Sequence, residues 1–489
     1  MSKKRRPPQI FNISRRRFLT GAAATGALAV AGCGPGTPDA AAPVIPAPGL
    51  GTLPNPADSG IDYIVVVMME NRSYDHMLGW VPGGDGIQAG AQYLDKNGVM
   101  QSTFRLSQNP DYGFQGCGKE DPAHGYTTGR TQFNDGKMDG FLKTVGTADD
   151  LFPIGYYTAD DVSFFKGAAD NFTVCDRFFS SILSSTFPNR VYLQSGQTDR
   201  NTNTLPYAQQ APSTLTTIWD LLAARNVSRQ YYFYDLPILG LWGPKYLDIS
   251  TKYEQFLIDA ALGNLASVSY IDPFFGFSAG ESPSGISRDD HPNADIRDGQ
   301  AFLDAIYNAL RASPQWDKTL LVITYDEWGG FFDHVPPPTA PVTDAERTVV
   351  GNADGRLGFR VPTVLLGPRV RRNHVSHLQF DFSSILNLIR WRFDLGALSP
   401  RDSTSINLAH ALDFSTINTA MPDFGVPTAP TGFGKECQTG LPFPLPNLPI
   451  GQLTALLNSM SPAQRSQVEH RMELDSVRRL AETSGFYRI

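Results

Sequence analysis

The chain has 489 residues, 41% hydrophobic and 18% charged, with 45 Gly and 37 Pro; this composition excludes the disordered and fibrous classes and leaves room for one or two domains with a large core. Seven of its 41 basic residues fall within the first 17 positions, where there is no acid, and the remaining 34 face 48 acidic residues. Such a surface repels phosphodiester polymers at long range, which argues against nucleic-acid binding.

The first 33 residues read as an address. Ser14-Arg15-Arg16-Arg17-Phe18-Leu19 is a twin-arginine signal, and the apolar stretch from Gly21 to Ala31 that follows is too short to span a bilayer. It ends in Val30-Ala31-Gly32-Cys33, which resembles a lipobox. The expectation is a protein exported by the twin-arginine pathway and held on the periplasmic or extracellular side of the envelope by lipid on Cys33. Residues 34–60 carry seven prolines and no aromatic residue, the composition of a semi-extended tether. The other cysteines, Cys117, Cys175 and Cys437, permit one pair, which spacing does not select, and none has zinc-ligand spacing.

From Ile61 to Met69 a continuous apolar run predicts a strand buried on both faces, and Thr319–Tyr325 and Val361–Gly367 look alike. Helical patterns lie between them, over Thr216–Ala224, Ala301–Ala312 and Ser383–Phe393. This alternation predicts an α/β domain with a largely parallel central sheet and flanking helices, placed at 61–432, with 433–489 as a C-terminal loop and helical tail packed on it.

Two of the strands end in polar clusters, Glu70-Asn71-Arg72-Ser73 and Asp326-Glu327-Trp328-Gly329-Gly330. In a parallel sheet the ligand crevice lies beyond the carboxyl ends of the strands, so the clusters can converge despite their separation. Glu70, Asn71, Asp326 and Glu327 then offer hard oxygen ligands to one divalent cation; oxygen favours Ca, Mg or Mn, and nearby histidines keep Zn or Fe open. Taken singly, each pair also suits a cap or a turn. Ser184-Ser185-Thr186-Phe187-Pro188-Asn189-Arg190 sets three hydroxyls beside an Arg suited to phosphate or carboxylate, although a capped Ser/Thr turn has the same composition. His124, His291 and His334 each stand beside an acid, as a proton carrier requires and as a surface turn also allows. A competing pattern, Gly276-Phe277-Ser278-Ala279-Gly280, fits a nucleophile elbow, but Glu281-Ser282-Pro283-Ser284-Gly285 breaks the helix that must follow Ser278.

Glu70-Asn71-Arg72-Ser73-Tyr74-Asp75-His76, Gly136-Lys137-Met138-Asp139-Gly140-Phe141, Cys175-Asp176-Arg177-Phe178-Phe179-Ser180 with Thr186-Phe187-Pro188-Asn189-Arg190, and the run from Tyr325 to Pro338 resemble the bacterial phosphoesterase family. That family includes phospholipases C of the non-haemolytic type and an acid phosphatase. The resemblance implies an alkaline-phosphatase-like α/β fold and hydrolysis of a phosphoric ester, phosphatidylcholine-type diesters first and a broad phosphomonoesterase second. It implies Thr186 as nucleophile, His291 as the acid that protonates the leaving group, His124 against the phosphate, and His334 in the active site. Asn189, Arg190 and Asp333 fall at substrate-contacting positions, and Glu70, Asn71, Asp326 and Glu327 at the metal. Outside this class stand a carboxylic-ester hydrolase built on Ser278 and a non-catalytic surface lipoprotein.

Overall fold

In β1 (Tyr63–Met69) six consecutive residues from Ile64 to Met69 are buried, and in β10 (Thr319–Tyr325) all seven are. β-Branched and long apolar side chains on both faces require a layer of helices on each side, so these strands lie inside the sheet and not at its edge. The computed structural model describes residues 49–203, 212–276, 286–437 and 450–489. The twin-arginine signal, Cys33 and Ser278 lie outside the described residues.

Small outlying pairs precede the second sheet strand: the hairpin β2 (Gln92–Leu94) with β3 (Met100–Ser102), and β4 (Phe104–Arg105) beside β5 (Gly155–Tyr156). The main sheet continues with β6 (Thr173–Cys175), β7 (Arg229–Phe233), β8 (Ser250–Lys252), β9 (Val268–Asp272), β10, β11 (Val364–Leu366) and β12 (His374–Ser376). Its eight strands run in the order β12-β6-β11-β10-β1-β9-β7-β8, all parallel except β11. The expected strand over 361–367 is shortened to three residues; Pro362, with no N–H for the ladder, stands before it.

The helices are α1 (Tyr74–Leu78), α2 (Tyr126–Phe133), α3 (Ser163–Asn171), α4 (Thr186–Ser195), α5 (Ile218–Ala224), α6 (Tyr253–Leu262), α7 (Ile296–Arg311), α8 (Phe382–Phe393), α9 (Pro400–Thr404), α10 (Ile450–Ser459) and α11 (Pro462–Ser484). α3 and α6 pack on α7, while α5 and α8 pack on α4. A second, smaller apolar cluster of Tyr93, Phe141, Leu183, Trp328, Phe332 and Phe359 lies under the loop that follows β10. Cys117 and Cys437 form a disulfide and Cys175 is a buried free thiol, which resolves the pairing that spacing left open. No helix among the described residues is long and apolar enough to cross a membrane.

Candidate active site

β1 and β10 pair in parallel from Tyr63 opposite Thr319 to Met69 opposite Tyr325. This register delivers Glu70-Asn71 and Asp326-Glu327 side by side at the carboxyl edge of the sheet. The backbone N–H of Asn71 donates to Asp326 Oδ1 at 3.1 Å, and that of Arg72 donates to the Glu327 carbonyl at 3.0 Å. Asn71 is left-handed, with φ 60°, and the chain at Gly329 passes so close that a Cβ there would lie 2.0 Å from the Asn71 carbonyl oxygen. Gly330, also at positive φ, lies against Pro122 in the same way. The Gly-Gly pair is therefore what lets the β10 loop pass between the β1 loop and the loop that carries His124.

Glu70, Asn71, Asp326 and Glu327 are all completely buried, yet Glu70 Oε2, both side-chain polar atoms of Asn71, and Glu327 Oε1 have no hydrogen-bond partner among the described residues. Each such atom costs about 1–3 kcal/mol when left unsatisfied. Burial raises the Glu70 carboxyl, Arg190 opposes this, and Asp326, Asp289 and Glu327 raise it further. Burial likewise pushes Asp326 and Glu327 up. A cluster of buried carboxylates with open oxygens, against which the Arg190 guanidinium is set, has the charge and the donors for a divalent cation.

The nucleophile candidate is the first residue of α4. Thr186 is 4% exposed, and four residues on, Arg190 projects from the same helix face. Arg190 donates to Asp326 Oδ2 at 3.1 Å, Asp272 Oδ1 at 3.3 Å and Glu70 Oε1 at 3.4 Å, and to the carbonyls of Met68 and Met69. Thr186 thus lies one helical turn before the side chain that reaches the two strand ends. Asn189 ties the preceding turn together: its amide accepts from Ile182 N–H and donates to the carbonyls of Ile182, Ser184 and Ser185. The sequence offered Asn189 and Arg190 to the substrate; in the structure their polar atoms are committed to the protein, where they fix the turn and the helix that carry Thr186.

His291 and His124 converge on Asp121. His291 Nε2 lies 3.4 Å from Asp121 Oδ2, and His124 Nδ1 lies 3.8 Å from Asp121 Oδ1, with its Nε2 3.8 Å from Glu327 Oε1. Burial works against charge on His124, but Glu327 and Asp121 outweigh it and bring its pKa up to about 9. Burial likewise pushes Asp121 up, and His291 and His124 outweigh it, holding the carboxyl at about 2. The backbone around His291 is pinned from two sides. Its N–H donates to Asp289 Oδ1 at 2.9 Å, and Arg72 donates to the carbonyls of Asp290 and His291.

His334 belongs to another group. Its Nδ1 lies 2.6 Å from Asp75 Oδ2 and its Nε2 3.2 Å from Asp85 Oδ1, so both ring nitrogens have carboxylate partners outside the Glu70–Glu327 cluster. Asp75, Asp333 and His334 bring ligand atoms within 4.8 Å of one another, a cation-binding arrangement the sequence did not single out. The buried Arg360 guanidinium already reaches Asp75 and Asp333 at 3.0 Å each, so a cation is in place there. Asp333, expected at the substrate, is held instead by Arg360 and by the N–H of Val335.

Asp121, Asp289 and Arg72 were not singled out as site residues. The signal was present for the two acids, each a short step from a chosen histidine; for Arg72 there was none, since its role depends on a contact 218 positions away.

The Phosphoesterase family matches residues 61–396. The chain is 30% identical over 516 residues to phospholipase C A of Mycobacterium tuberculosis, covering 92% of this chain and 94% of that one. It is 32% identical over 378 residues to non-specific phospholipase C6 of Arabidopsis thaliana, covering 71% of each. Among solved structures, a protein in the alkaline phosphatase superfamily from Vibrio parahaemolyticus aligns over 66% of this chain and 82% of that one, with a TM-score of 0.34 and 9% identity. The family match, which takes in both acid pairs, Thr186, His124 and His291, makes the chain a member of the Phosphoesterase family and an enzyme that hydrolyses phosphoric esters.

Proposed function

We propose that the protein is an exported, metal-assisted phosphoric ester hydrolase of the phospholipase C type that works through a phospho-threonine intermediate. The observation that carries this reading is the set of fully buried oxygens of Glu70, Asn71 and Glu327, without hydrogen-bond partners among the described residues, at the strand ends reached by Arg190, one turn of α4 beyond Thr186. One divalent cation, Ca, Mg, Mn or Zn, would be held by Glu70, Asn71, Asp326 and Glu327 and, when bound, would polarise a phosphoryl oxygen. Thr186 Oγ1, having lost its proton to solvent, attacks phosphorus in line as the alkoxide, the phosphorus–oxygen bond to the alcohol breaks, and His291 gives that alcohol its proton. His291 then takes a proton from the water that attacks phospho-Thr186, so phosphate leaves, the Thr186 alkoxide is released and His291 is protonated again. His124, cationic at neutral pH, offers its charge to the phosphate. The names of the relatives favour phospholipid diesters as substrate.

The test is paired hydrolysis of p-nitrophenyl phosphate and p-nitrophenylphosphorylcholine by the wild type and Thr186→Ala, each with EDTA and with metals restored. We expect turnover to need both Thr186 and a metal, with a loss on the order of 10³-fold or more in Thr186→Ala, and the diester to be preferred. Activity that survives in the variant would identify another nucleophile, Ser278 included, and preference for the monoester would make the enzyme a phosphatase. The lipid anchor is read separately: Cys33→Ser should move the protein from the membrane fraction to the soluble fraction, and a wild type found only in the soluble fraction counts against it.

A further inference from the structure

The C-terminal helix α11 starts at a reciprocal cap, in which Ser461 accepts from Gln464 N–H and Gln464 accepts from Ser461 N–H, with Pro462 at its first position. It buries Leu474, Val477 and Ala481 and packs on the segment Ile238–Ile249. Ala481 sits 3.3 Å from where a Cβ on Gly240 would be. On the turn that precedes Leu474, the same helix sends His470 and, three positions on, Glu473 toward the site.

The His470 ring lies face to face on His291, with centroids 3.5 Å apart and planes inclined by 15°. Burial, and then the neighbouring His291, hold His470 well below the ordinary histidine pKa, so it lies on His291 as a neutral ring. A face-on stack fixes the plane of the His291 imidazole while leaving its edge, which carries the nitrogens, open. Asp121, 3.4 Å from Nε2, then fixes the rotation within that plane. Glu473 accepts from Asn203 Nδ2 at 2.8 Å, and Asn203 Oδ1 accepts at 2.7 Å from the N–H of Phe187, the residue after Thr186.

We propose that α11 completes the active site: His470 is a positioning residue that sets the ring of His291 for proton delivery to the leaving alcohol, and Glu473, through Asn203, steadies the turn that carries Thr186. This rests on the reading of His291 as the proton donor and extends it to a part of the chain that lies beyond the matched family region, which ends at 396. The physical reason is geometric, because a general acid works only within hydrogen-bond reach of the departing oxygen.

The leaving group separates positioning from mere stability. Nitrophenolate departs without a proton, whereas the alkoxide of a diacylglycerol needs one. With the full-length enzyme, kcat/KM is measured on p-nitrophenylphosphorylcholine and on dihexanoylphosphatidylcholine, alongside thermal unfolding. We expect His470→Ala to lose about 10- to 100-fold on the alkyl ester and less than about 3-fold on the nitrophenyl ester. His470→Phe, which keeps a flat ring on His291, should recover the alkyl ester to within about 3-fold of wild type. Glu473→Ala should slow both substrates equally, by about 10-fold, because the Thr186 turn serves both. Equal losses on the two esters in His470→Ala, or no recovery with Phe, overturn the proposal. His291→Ala is the control on the underlying reading: a selective loss on the alkyl ester supports it, and an unchanged alkyl rate removes the acid assignment and this proposal together.

Discussion

Arg190 carries five contacts to two strand ends and a third strand, and all of them lie inside the protein. If its work is structural, Arg190→Met strands Asp326, Asp272 and Glu70 without their shared cation. The expected loss is about 3–5 kcal/mol of folding stability, read by denaturant unfolding, because a buried charge left unpaired costs that much. A substrate-binding arginine would instead leave stability intact and raise KM. The difference explains where residue-level reading of the sequence stopped. Glu70, Asn71, Asp326 and Glu327 stood out because two such pairs each follow a buried strand, although either pair alone also suits a cap or a turn. Asn189 and Arg190 stand beside the candidate nucleophile whether they face a phosphate or the backbone, and only burial and partner geometry decide. The same ambiguity holds at His334: an acid beside a histidine marks a proton carrier and an internal ion pair equally well, and here Asp75 and Asp85 face both nitrogens.

At the level of elements, the strands that matter were legible because a run such as Ile64–Met69, buried on both faces, has no alternative home in a soluble domain. Their in-register pairing was not, because hydrophobicity fixes which strands are central but not which residues face each other. Helix α11 shows the complementary limit. Its 23 residues announce a helix through the Ser461 cap and Pro462, and their apolar periodicity announces a buried face. Nothing in that periodicity says that His470, on the margin of the face, meets His291 from a distant part of the chain. The disulfide adds a constraint on the same region: Cys437, upstream of α10, is fastened to Cys117, four residues before Asp121. The covalent link thus fastens Cys437 to the chain that leads to Asp121 and His124, and α11 adds the ring contact with His291.

For the molecule as a whole, the buried acids couple folding to pH, and a cation held by them would couple it to metal as well. Glu70, Asp289, Asp326 and Glu327 all have folded-state pKa values raised by burial. A raised carboxyl stabilises the fold while protonated, so in metal-free protein this contribution is present below the ordinary carboxylate range and is lost as pH rises through the raised values. A bound cation reverses the balance, since it needs the ionised form and competes with protons. The rise in Tm on adding a saturating divalent cation to EDTA-treated protein should therefore be several degrees greater at pH 8 than at pH 5. A rise independent of pH would mean that the cation sits elsewhere. The order of synthesis supplies a further demand. β1 is the first strand of the sheet to be made, yet its neighbours are β9, which begins at Val268, and β10, which begins at Thr319. A ribosome adding 5–20 residues per second needs roughly 10–40 s to travel from β1 to β9. Throughout that interval the nascent chain displays an apolar strand with both edges unpaired, a template for aggregation, so a cell that makes this enzyme must shield Tyr63–Met69 until the far half of the chain arrives.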